Sequence, residues 1–262
     1  MSTGVISITA RGSYVCDHDY LLGFQRPGPG PGGYCLDYSR IKALRAGTLL
    51  VADRPRFQVL DKFWSADQSD SGGIFLKLRS LDDFLIEKTI DLAMIKKAFS
   101  LAWITLSDKG ARGQREDESG PLIRDMIGSS LELDLARGFM IPDDGDLLRS
   151  LLVHLALGAG YDLIITTGGT GLGPRDITPQ ATLKVMDQRL HGFEQAMTAH
   201  SLTITSHAAI SRAVAGTLGQ SMIINLPGSP KGVRENLAPI VPSLKHALKK
   251  LQGDPMDCAT GS

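Results

Sequence analysis

The stretch DLIITTGGTGLGPRDITP, from Asp162 to Pro179, decides the fold of this chain and points to its function. Its apolar start, Leu163 to Ile165, is typical of a buried parallel strand. Glycines then dominate residues 168 to 173, where they permit a sharp turn and a close approach of backbone N–H groups to a ligand. Thr178 and Pro179 follow as a predicted N-cap and first helical residue. A strand, a glycine loop and a helix start in this order predict a phosphate site.

Other interpretations of this stretch fit the sequence less well. A P-loop is excluded because no Lys-Ser or Lys-Thr pair follows the glycines. A dinucleotide fingerprint fits loosely, since the spacing is tighter than GxGxxG and that motif does not need Arg175 and Asp176. A connection without function is disfavoured by four glycines and an Arg-Asp pair in one loop. Arg175 suits phosphate oxygens, and Asp176 suits a divalent cation.

The composition is that of an ordinary globular chain with room for one large or two smaller domains. It has 262 residues, with 28 basic and 28 acidic side chains, and this zero net charge argues against a general nucleic-acid binder. No apolar run approaches the roughly 20 residues that span a membrane. The N-terminus lacks the pattern of a secretory signal, and three cysteines favour a reducing cytoplasm.

Residues 1–95 are predicted to form a small β-rich domain of unknown role, arranged as a partial barrel. The predicted strands are Val5 to Ala10, Thr48 to Ala52, Phe57 to Phe63 and Ile74 to Leu78. The Pro- and Gly-rich segment from Arg26 to Tyr34 is predicted to be a loop.

Two further features of this region lead to expectations. Cys16, His18 and Cys35 match no zinc spacing and lack a fourth ligand, so we interpret the cysteines as ordinary free thiols. The segment from Leu81 to Phe99 is interpreted as a linker or a helix that joins the two domains.

From Leu101 the pattern becomes α/β, with alternating short apolar strands and amphipathic helices. The predicted strands are Ala102 to Leu106, Phe139 to Ile141, Tyr161 to Thr167 and Met222 to Leu226. The predicted helices are Ser119 to Gly128 with Ser119 as cap, one after Asp144, Pro179 to Arg189, Phe193 to Leu202, and Lys231 to Leu251. Pro239 and Pro242 are expected to kink the last helix or delay its start. The alternation predicts a mostly parallel sheet that is covered on both faces.

Polar residues collect at four predicted strand ends. These are Ser107-Asp108, Asp143-Asp144, the loop from Gly168 to Asp176, and Asn225 to Pro230. Strand ends of a doubly wound sheet share one edge, so we expect the four groups to form one pocket. Carboxylates, one arginine and glycine amides suit a nucleotide phosphate with magnesium. For Asp143 and Asp144 taken singly, a helix cap is an equally good interpretation.

These residues resemble the molybdopterin adenylyltransferase family, of the MogA and MoaB type and the gephyrin G domain. The resemblance covers about residues 101–254 and rests first on TTGGTG and PRDITP. Supporting motifs are Ser107-Asp108, Ser119-Gly120-Pro121-Leu122, Ile141-Pro142-Asp143, Ile210-Ser211-Arg212 and IINLPGSPKGVRENL. Residues 1–95 have no counterpart in single-domain members.

The resemblance implies a three-layer α/β domain over residues 96–254, commonly a homotrimer. The sequence itself predicts a flexible tail at 255–262. It implies Mg²⁺-dependent transfer of AMP from ATP to molybdopterin, which gives adenylyl-molybdopterin and pyrophosphate. It assigns catalysis and the metal to Asp143 and Asp176. The implied substrate-binding residues are Ser107, Asp108, Gly168, Gly169, Thr170, Gly171, Arg175, Ser211, Pro227, Gly228 and Pro230.

Two other hypotheses remain open. The first is a module that binds molybdopterin or a nucleotide without catalysis, or that serves a related molybdenum-insertion step. For the enzyme, the expected partner is a molybdenum-insertion protein that receives the product. The presence of both Asp143 and Asp176 favours the enzyme. The second is a Rossmann-type oxidoreductase, which failure to bind NAD would exclude.

Overall fold

The computed structural model describes residues 4–24, 34–35, 38–65 and 73–254. The chain divides into two compact units, Met1–Ser100 with Gly158–Tyr161, and Leu101–Leu157 with Asp162–Ser262. Most of the Pro- and Gly-rich loop predicted from Arg26 to Tyr34 lies outside the described residues, and so does the predicted tail at 255–262.

The first unit consists mainly of β-strands. Its elements are β1 (Gly4–Thr9), β2 (Gly12–Tyr14), β3 (Asp19–Phe24), β4 (Tyr34–Cys35), α1 (Tyr38–Ala43), β5 (Leu49–Val51), β6 (Pro55–Ser65), β7 (Gly73–Ser80), β8 (Phe84–Ile86) and β9 (Thr89–Ile95). All four predicted strands are present, as β1, β5, β6 and β7.

Seven of these strands close into a barrel, in the order β1-β4-β3-β7-β6-β5-β9, and β2 pairs with β8 in a separate ribbon. The expected partial barrel is therefore complete. Its interior is apolar because strand residues alternate between the two faces, as in β1, where Ile6 and Ile8 are buried and Val5 is exposed. Among the described residues, Cys16 is an exposed cysteine without a disulfide partner.

The helix or linker predicted from Leu81 to Phe99 is wrong, because the segment forms β8, β9 and the start of the next strand. In β9 the side chains of Leu92 and Met94 point into the barrel core, and Ile90 packs against it. That spacing of two is a strand pattern. The strand is fixed by antiparallel pairing with both β1 and β5.

The second unit alternates strands and helices. Its elements are β10 (Phe99–Leu106), α2 (Asp108–Ala111), α3 (Ser119–Gly128), β11 (Leu133–Ile141), α4 (Gly145–Val153), a π-helical turn (His154–Ala159), β12 (Leu163–Thr167), α5 (Thr178–Leu183), β13 (Gln188–Arg189), α6 (His191–Ile204), a 3₁₀ turn (Ser206–Ile210), β14 (Ala215–Leu218), β15 (Ser221–Leu226), α7 (Pro230–Leu237) and α8 (Val241–Leu251).

One six-stranded sheet organises this unit, in the order β11-β10-β12-β15-β14-β13. The pairs β10–β12 and β12–β15 are parallel, as predicted. The pairs β15–β14 and β14–β13 are antiparallel, so the predicted parallel arrangement needs correction at that edge. Every residue of β12, β14 and β15 is buried, which means that both faces of the sheet are covered there.

Three helix predictions also need correction. The helix expected to reach Arg189 ends at Leu183, because the chain turns to pair β13 with β14. The long final helix is two helices, α7 and α8, separated around Pro239, which cannot donate a helical hydrogen bond. Helix α3 begins after Glu118, so Ser119 is not its cap.

The apolar segments of this chain have the lengths of buried strands and packed helices. Within the described residues, no helix is both long and apolar enough to cross a membrane.

Candidate active site

The carboxyl end of β10 leads directly into the short helix α2. Ser107 is the N-cap of this helix, and its hydroxyl accepts a hydrogen bond from the Gly110 N–H at 3.1 Å. The Ser107 N–H donates to the Ile141 carbonyl at 2.9 Å, which joins the end of β10 to the end of β11. Ser107 therefore has a structural role that places Asp108 at the sheet edge.

Asp108, Asp143, Arg175 and Asp176 form a group that we call the acidic corner. One carboxylate oxygen of Asp108 accepts the Asp143 N–H at 3.1 Å, and the other accepts a hydrogen bond from the Arg175 guanidinium. The Asp176 carboxylate accepts the Gly173 N–H at 2.7 Å. The acids predicted to follow three different strands thus lie at one edge of the sheet.

Asp143 and the neighbouring Asp144 have different roles. The Asp144 carboxylate caps α4 by accepting the N–H groups of Asp146 and Leu147, both at 2.9 Å. This cap satisfies two of the N–H groups that a helix start leaves without partners. The sequence left the two acids equivalent, and the structure assigns the cap to Asp144, which leaves the Asp143 carboxylate available to the acidic corner.

The environment of Asp143 disfavours its negative charge. Burial raises the pKa of its carboxyl above the ordinary value, and the negative charges of Asp108 and Asp176 raise it further. A hydrogen bond with the Asp108 backbone and the charge of Arg175 oppose this rise in pKa. A cation in the acidic corner would offset the repulsion between these carboxylates.

The glycine loop begins with two residues in the left-handed region, Gly168 at φ +103° and Gly169 at φ +65°. A Cβ on Gly168 would lie 2.6 Å from the Leu106 carbonyl oxygen, and one on Gly169 would lie 2.5 Å from the Thr178 hydroxyl. Both positions therefore require glycine for conformation and for space.

Thr178 is not the N-cap that its position predicts, because Ile177 holds that place without a side-chain capping bond. The Thr178 hydroxyl instead donates to the Gly168 carbonyl at 2.8 Å, and its N–H donates to the Gly169 carbonyl at 3.1 Å. The start of α5 thus holds the first turn of the glycine loop in place.

The middle of the loop has backbone donors available for a ligand. Among the described residues, no acceptor receives the N–H groups of Gly169, Thr170 or Gly171. Consecutive amides that follow left-handed glycines form a concave site for anions.

The loop after β15 packs directly on the glycine loop. A Cβ on Gly228 would lie 3.2 Å from the Gly168 Cα. The Thr167 hydroxyl donates to the Pro227 carbonyl at 2.7 Å, and the Ser119 hydroxyl donates to the Gly228 carbonyl at 2.9 Å. Ser119 therefore fixes this second loop. Pro230 is the first residue of α7.

Arg212 binds the glycine loop at three points and was not among the predicted site residues. Its N–H donates to the Thr170 carbonyl at 3.1 Å, and its guanidinium donates to the carbonyls of Gly171 at 2.8 Å and Asp176 at 2.5 Å. We call this set of bonds the arginine clamp. Its sequence signal was the Ile210-Ser211-Arg212 motif, although nothing in the motif shows that the partners lie in the loop.

A pocket of about 250 Å³ lies beside the glycine loop. Four predicted residues line it, namely Thr170, Gly171, Ser211 and Pro227. We call it the polar pocket because six of the ten other residues that line it carry a hydroxyl, amide or carboxylate group. A larger, more open cavity of about 650 Å³ is lined by Arg189 and by residues of α5, α6 and 211–214. Its described lining contains no loop glycine and no acid of the acidic corner.

Eight of the thirteen predicted site residues therefore occupy two adjoining places. Asp108, Asp143, Arg175 and Asp176 form the acidic corner, and none of them lines the polar pocket. The glycine loop joins the two, because it contributes Thr170 and Gly171 to the pocket and leads into Arg175 and Asp176. Within the described part of the chain, no group of three or more His, Cys, Asp or Glu side chains is arranged to hold a metal ion by itself.

Comparison with known proteins identifies the second unit. Residues 102–246 match the model of the probable molybdopterin binding domain. The chain is 37% identical over 154 residues to a molybdopterin adenylyltransferase of Helicobacter pylori, an alignment that covers 58% of this chain and 88% of that protein. It is 38% identical over 164 residues to gephyrin of Dictyostelium discoideum, covering 58% of this chain and only 22% of gephyrin.

Solved structures agree with these matches. The molybdopterin biosynthesis enzyme MoaB of Thermus thermophilus is 41% identical, with a TM-score of 0.55 over 61% of this chain and 99% of that one. The tungsten cofactor synthesizing protein MoaB of Pyrococcus furiosus is 34% identical, with a TM-score of 0.53 over 60% and 99% of the two chains. The first 101 residues lie outside the family match. By its glycine loop, acidic corner and matched sequence, the chain belongs to the molybdopterin-binding family of molybdenum cofactor biosynthesis.

Proposed function

We propose that the chain is a molybdopterin adenylyltransferase that transfers AMP from ATP to molybdopterin and releases pyrophosphate. The names of its relatives support the reaction, and the acidic corner is the observation that carries it. A half-buried carboxyl whose pKa is raised by burial and by two neighbouring carboxylates is suited to a site that receives a cation.

The residues of the acidic corner fit Mg²⁺. This ion is usually held by one or two carboxylates together with substrate phosphates, and it does not need an all-protein cage. The absence of a three-ligand cluster among the described residues agrees with that mode. Asp143 and Asp176 are the proposed ligands. When bound, Mg²⁺ would offset the negative charge of the reacting phosphates.

The glycine loop and Arg175 supply the groups that bind phosphate. The N–H groups of Gly169, Thr170 and Gly171 are available, and the side chain of Arg175 is 75% exposed. Its partner Asp108 is only 23% exposed, but the guanidinium itself lies at the surface and has further N–H donors that can bind a phosphate oxygen.

In the proposed reaction, an oxygen of the terminal phosphate of molybdopterin attacks the α-phosphorus of ATP. The new P–O bond forms as the bond to the bridging α–β oxygen breaks, and pyrophosphate leaves with that electron pair. No covalent enzyme intermediate is needed. The chain contributes positioning and charge stabilisation, through loop amides, Arg175 and the two acids.

The test is product formation by the full chain with ATP, Mg²⁺ and molybdopterin. Asp176→Asn keeps the size of the side chain and removes its charge, so we expect product formation to fall at least about 100-fold, the scale of one strong transition-state stabiliser. Asp125→Asn is the matched control, because that carboxylate is 65% exposed and pairs with Arg124. Near-normal turnover by Asp176→Asn contradicts the proposal. Molybdopterin binding by wild type without product supports the binding-module hypothesis instead.

The proposal includes the assembly and the domain roles. We assign the adenylyl transfer to residues 96–254, arranged in three layers and as a homotrimer, with product handed to a molybdenum-insertion protein. The proposed compartment is the cytoplasm, in line with the cysteine usage of the sequence.

A further inference from the structure

The polar pocket contains a buried hydroxyl that lacks a partner. Ser201 lines the pocket and is 4% exposed, and its Oγ is among the buried polar atoms of the described residues that make no hydrogen bond. Leaving a buried hydroxyl unsatisfied is unfavourable, so such groups are usually paired. Ser201 belongs to the wall of this pocket, so we take a ligand in the pocket as the source of the missing partner.

Glu235 contributes a carboxylate to the same wall. Its side chain is 13% exposed, and its ion-pair partner Lys231 is 76% exposed with 3.8 Å between nitrogen and oxygen. That distance is too long for a hydrogen bond. The carboxylate therefore keeps its capacity to accept N–H donors from a ligand, and a mostly buried carboxylate gains strongly from such donors.

Two ring systems enter the proposed reaction, and a carboxylate distinguishes them. The pyrimidinone edge of a pterin presents the ring N3–H and the 2-amino N–H side by side, which matches the two oxygens of a carboxylate. The corresponding edge of adenine places a ring nitrogen with a lone pair beside its amino group, and that lone pair repels a carboxylate. A pocket of about 250 Å³ is also below the usual size for a whole drug-sized ligand, which suits one bicyclic ring.

We propose that Glu235 selects the pterin ring of the substrate, by accepting its N3–H and 2-amino donors in the polar pocket, with the Ser201 hydroxyl bonded to the same ring. This inference rests on the proposed function, because it assumes that the substrate contains a pterin. It assigns adenine to the acidic-corner side of the glycine loop and makes Glu235 a specificity-determining residue.

The test uses the full chain and two free pteridines. Pterin carries the 2-amino group, and lumazine has an oxygen there, which would face the carboxylate. Binding is followed by pteridine fluorescence. We expect wild type to bind pterin at least about tenfold more tightly than lumazine, because sites built for a hydrogen bond reject analogues that cannot make it. In Glu235→Gln the preference should disappear. Glu132→Gln, an exposed acid that lines neither cavity, is the control and should keep it.

Ser201→Ala provides a second, independent measurement. We expect pterin affinity to fall several-fold while the melting temperature of the ligand-free protein does not fall, because the hydroxyl has no partner to lose. Melting curves of Glu235→Gln show whether that variant is folded.

Equal affinity of wild type for pterin and lumazine overturns the inference, and so does displacement of pterin by adenosine. A preference that survives in folded Glu235→Gln also overturns it. These outcomes are separate from the proposed function. If the protein transfers AMP but does not prefer pterin, the proposed function stands and the role of Glu235 is wrong. If it prefers pterin but does not transfer AMP, the role of Glu235 stands and the proposed function is wrong.

Discussion

Removing the arginine clamp should disable the site without unfolding the protein. Arg212→Ala deletes the two guanidinium bonds to the carbonyls of Gly171 and Asp176 and leaves the backbone bond to Thr170. The loop between these carbonyls is rich in glycine, which loses more conformational freedom on ordering than other residues. Without the clamp, the loop should populate conformations in which Asp176 is displaced from the acidic corner.

The magnitude follows from the two lost bonds. A hydrogen bond to a charged group contributes about 1.5–3 kcal/mol. Arg212 is only partly buried, so we take the lower end for each bond, about 3 kcal/mol in total. If that energy orders the loop for catalysis, kcat/KM falls about 100-fold, since each 1.36 kcal/mol is tenfold. Arg212→Lys can keep one of the two bonds and should lose about tenfold.

The assay is single-turnover formation of adenylyl-molybdopterin over a range of Mg²⁺ concentrations. We expect Arg212→Ala to need more Mg²⁺ for half-maximal rate and to regain part of its rate when guanidinium is added. Its melting temperature should stay close to wild type, because local loop order differs from global stability. Arg124→Ala is the control, since Arg124 pairs with its neighbour Asp125 at the surface, far along the chain from the glycine loop. Product formation by Arg212→Ala within about threefold of wild type would refute the reasoning.

Four other predictions follow from the structure and the proposed function. Asp143→Asn should abolish turnover yet raise the unfolding free energy by about 0.5 kcal/mol at pH 7, the scale of partly solvated charges. The folded state raises the pKa of Asp143, so the wild-type protein loses stability as the pH rises through that pKa. The extra unfolding free energy of the variant should therefore vanish in acid, which denaturation at pH 7 and at pH 3 can show. Asp144→Ala should cost about 1 kcal/mol of stability in the same measurement and keep most of its activity, because it removes a helix cap. The fragment from Lys96 should fold by circular dichroism and transfer AMP within about tenfold of full length; a folded but inactive fragment would show that the first unit supplies part of the site. The same fragment should be a trimer by light scattering, and a monomer at micromolar concentration would contradict that proposal.

The glycine loop was predictable because its requirements are local. Gly168 and Gly169 adopt backbone angles that side chains rarely permit, and a run of glycines after an apolar strand is enough to indicate this. The acids at the strand ends were predictable for a related reason, since parallel strands bring their carboxyl ends to one edge.

Other features depend on contacts between distant parts of the chain. Arg212 reaches carbonyls that lie 41 and 36 residues earlier, so its role as a clamp appears only in three dimensions. Asp143 and Asp144 have the same side chain, and only the orientation of α4 decides which one is the cap. The hydroxyl of Ser119 was expected to cap its own helix and instead bonds to Gly228 in a distant loop.

The spacing of apolar residues gave a wrong prediction where the same residues fit both a helical and a strand period. The segment that forms β9 contains enough apolar positions to suggest a helix. Its alternation at Ile90, Leu92 and Met94 is the one that the barrel uses, because pairing with β1 and β5 satisfies its backbone on both sides.

The close approach of Gly168 and Gly228 has a practical consequence for protein engineering. At Gly168 a mutational library would return almost only glycine, because its φ lies in the left-handed region and an added Cβ would lie 2.6 Å from the Leu106 carbonyl oxygen. At Gly228 an added Cβ would lie 3.2 Å from the Gly168 Cα and would require a small shift of that backbone. Diversity is better spent on Leu172, which is 67% exposed on the same loop. A selection for altered substrates would therefore vary the side chain at Leu172, while Gly168 and Gly228 stay unchanged and the two loops keep their conformation.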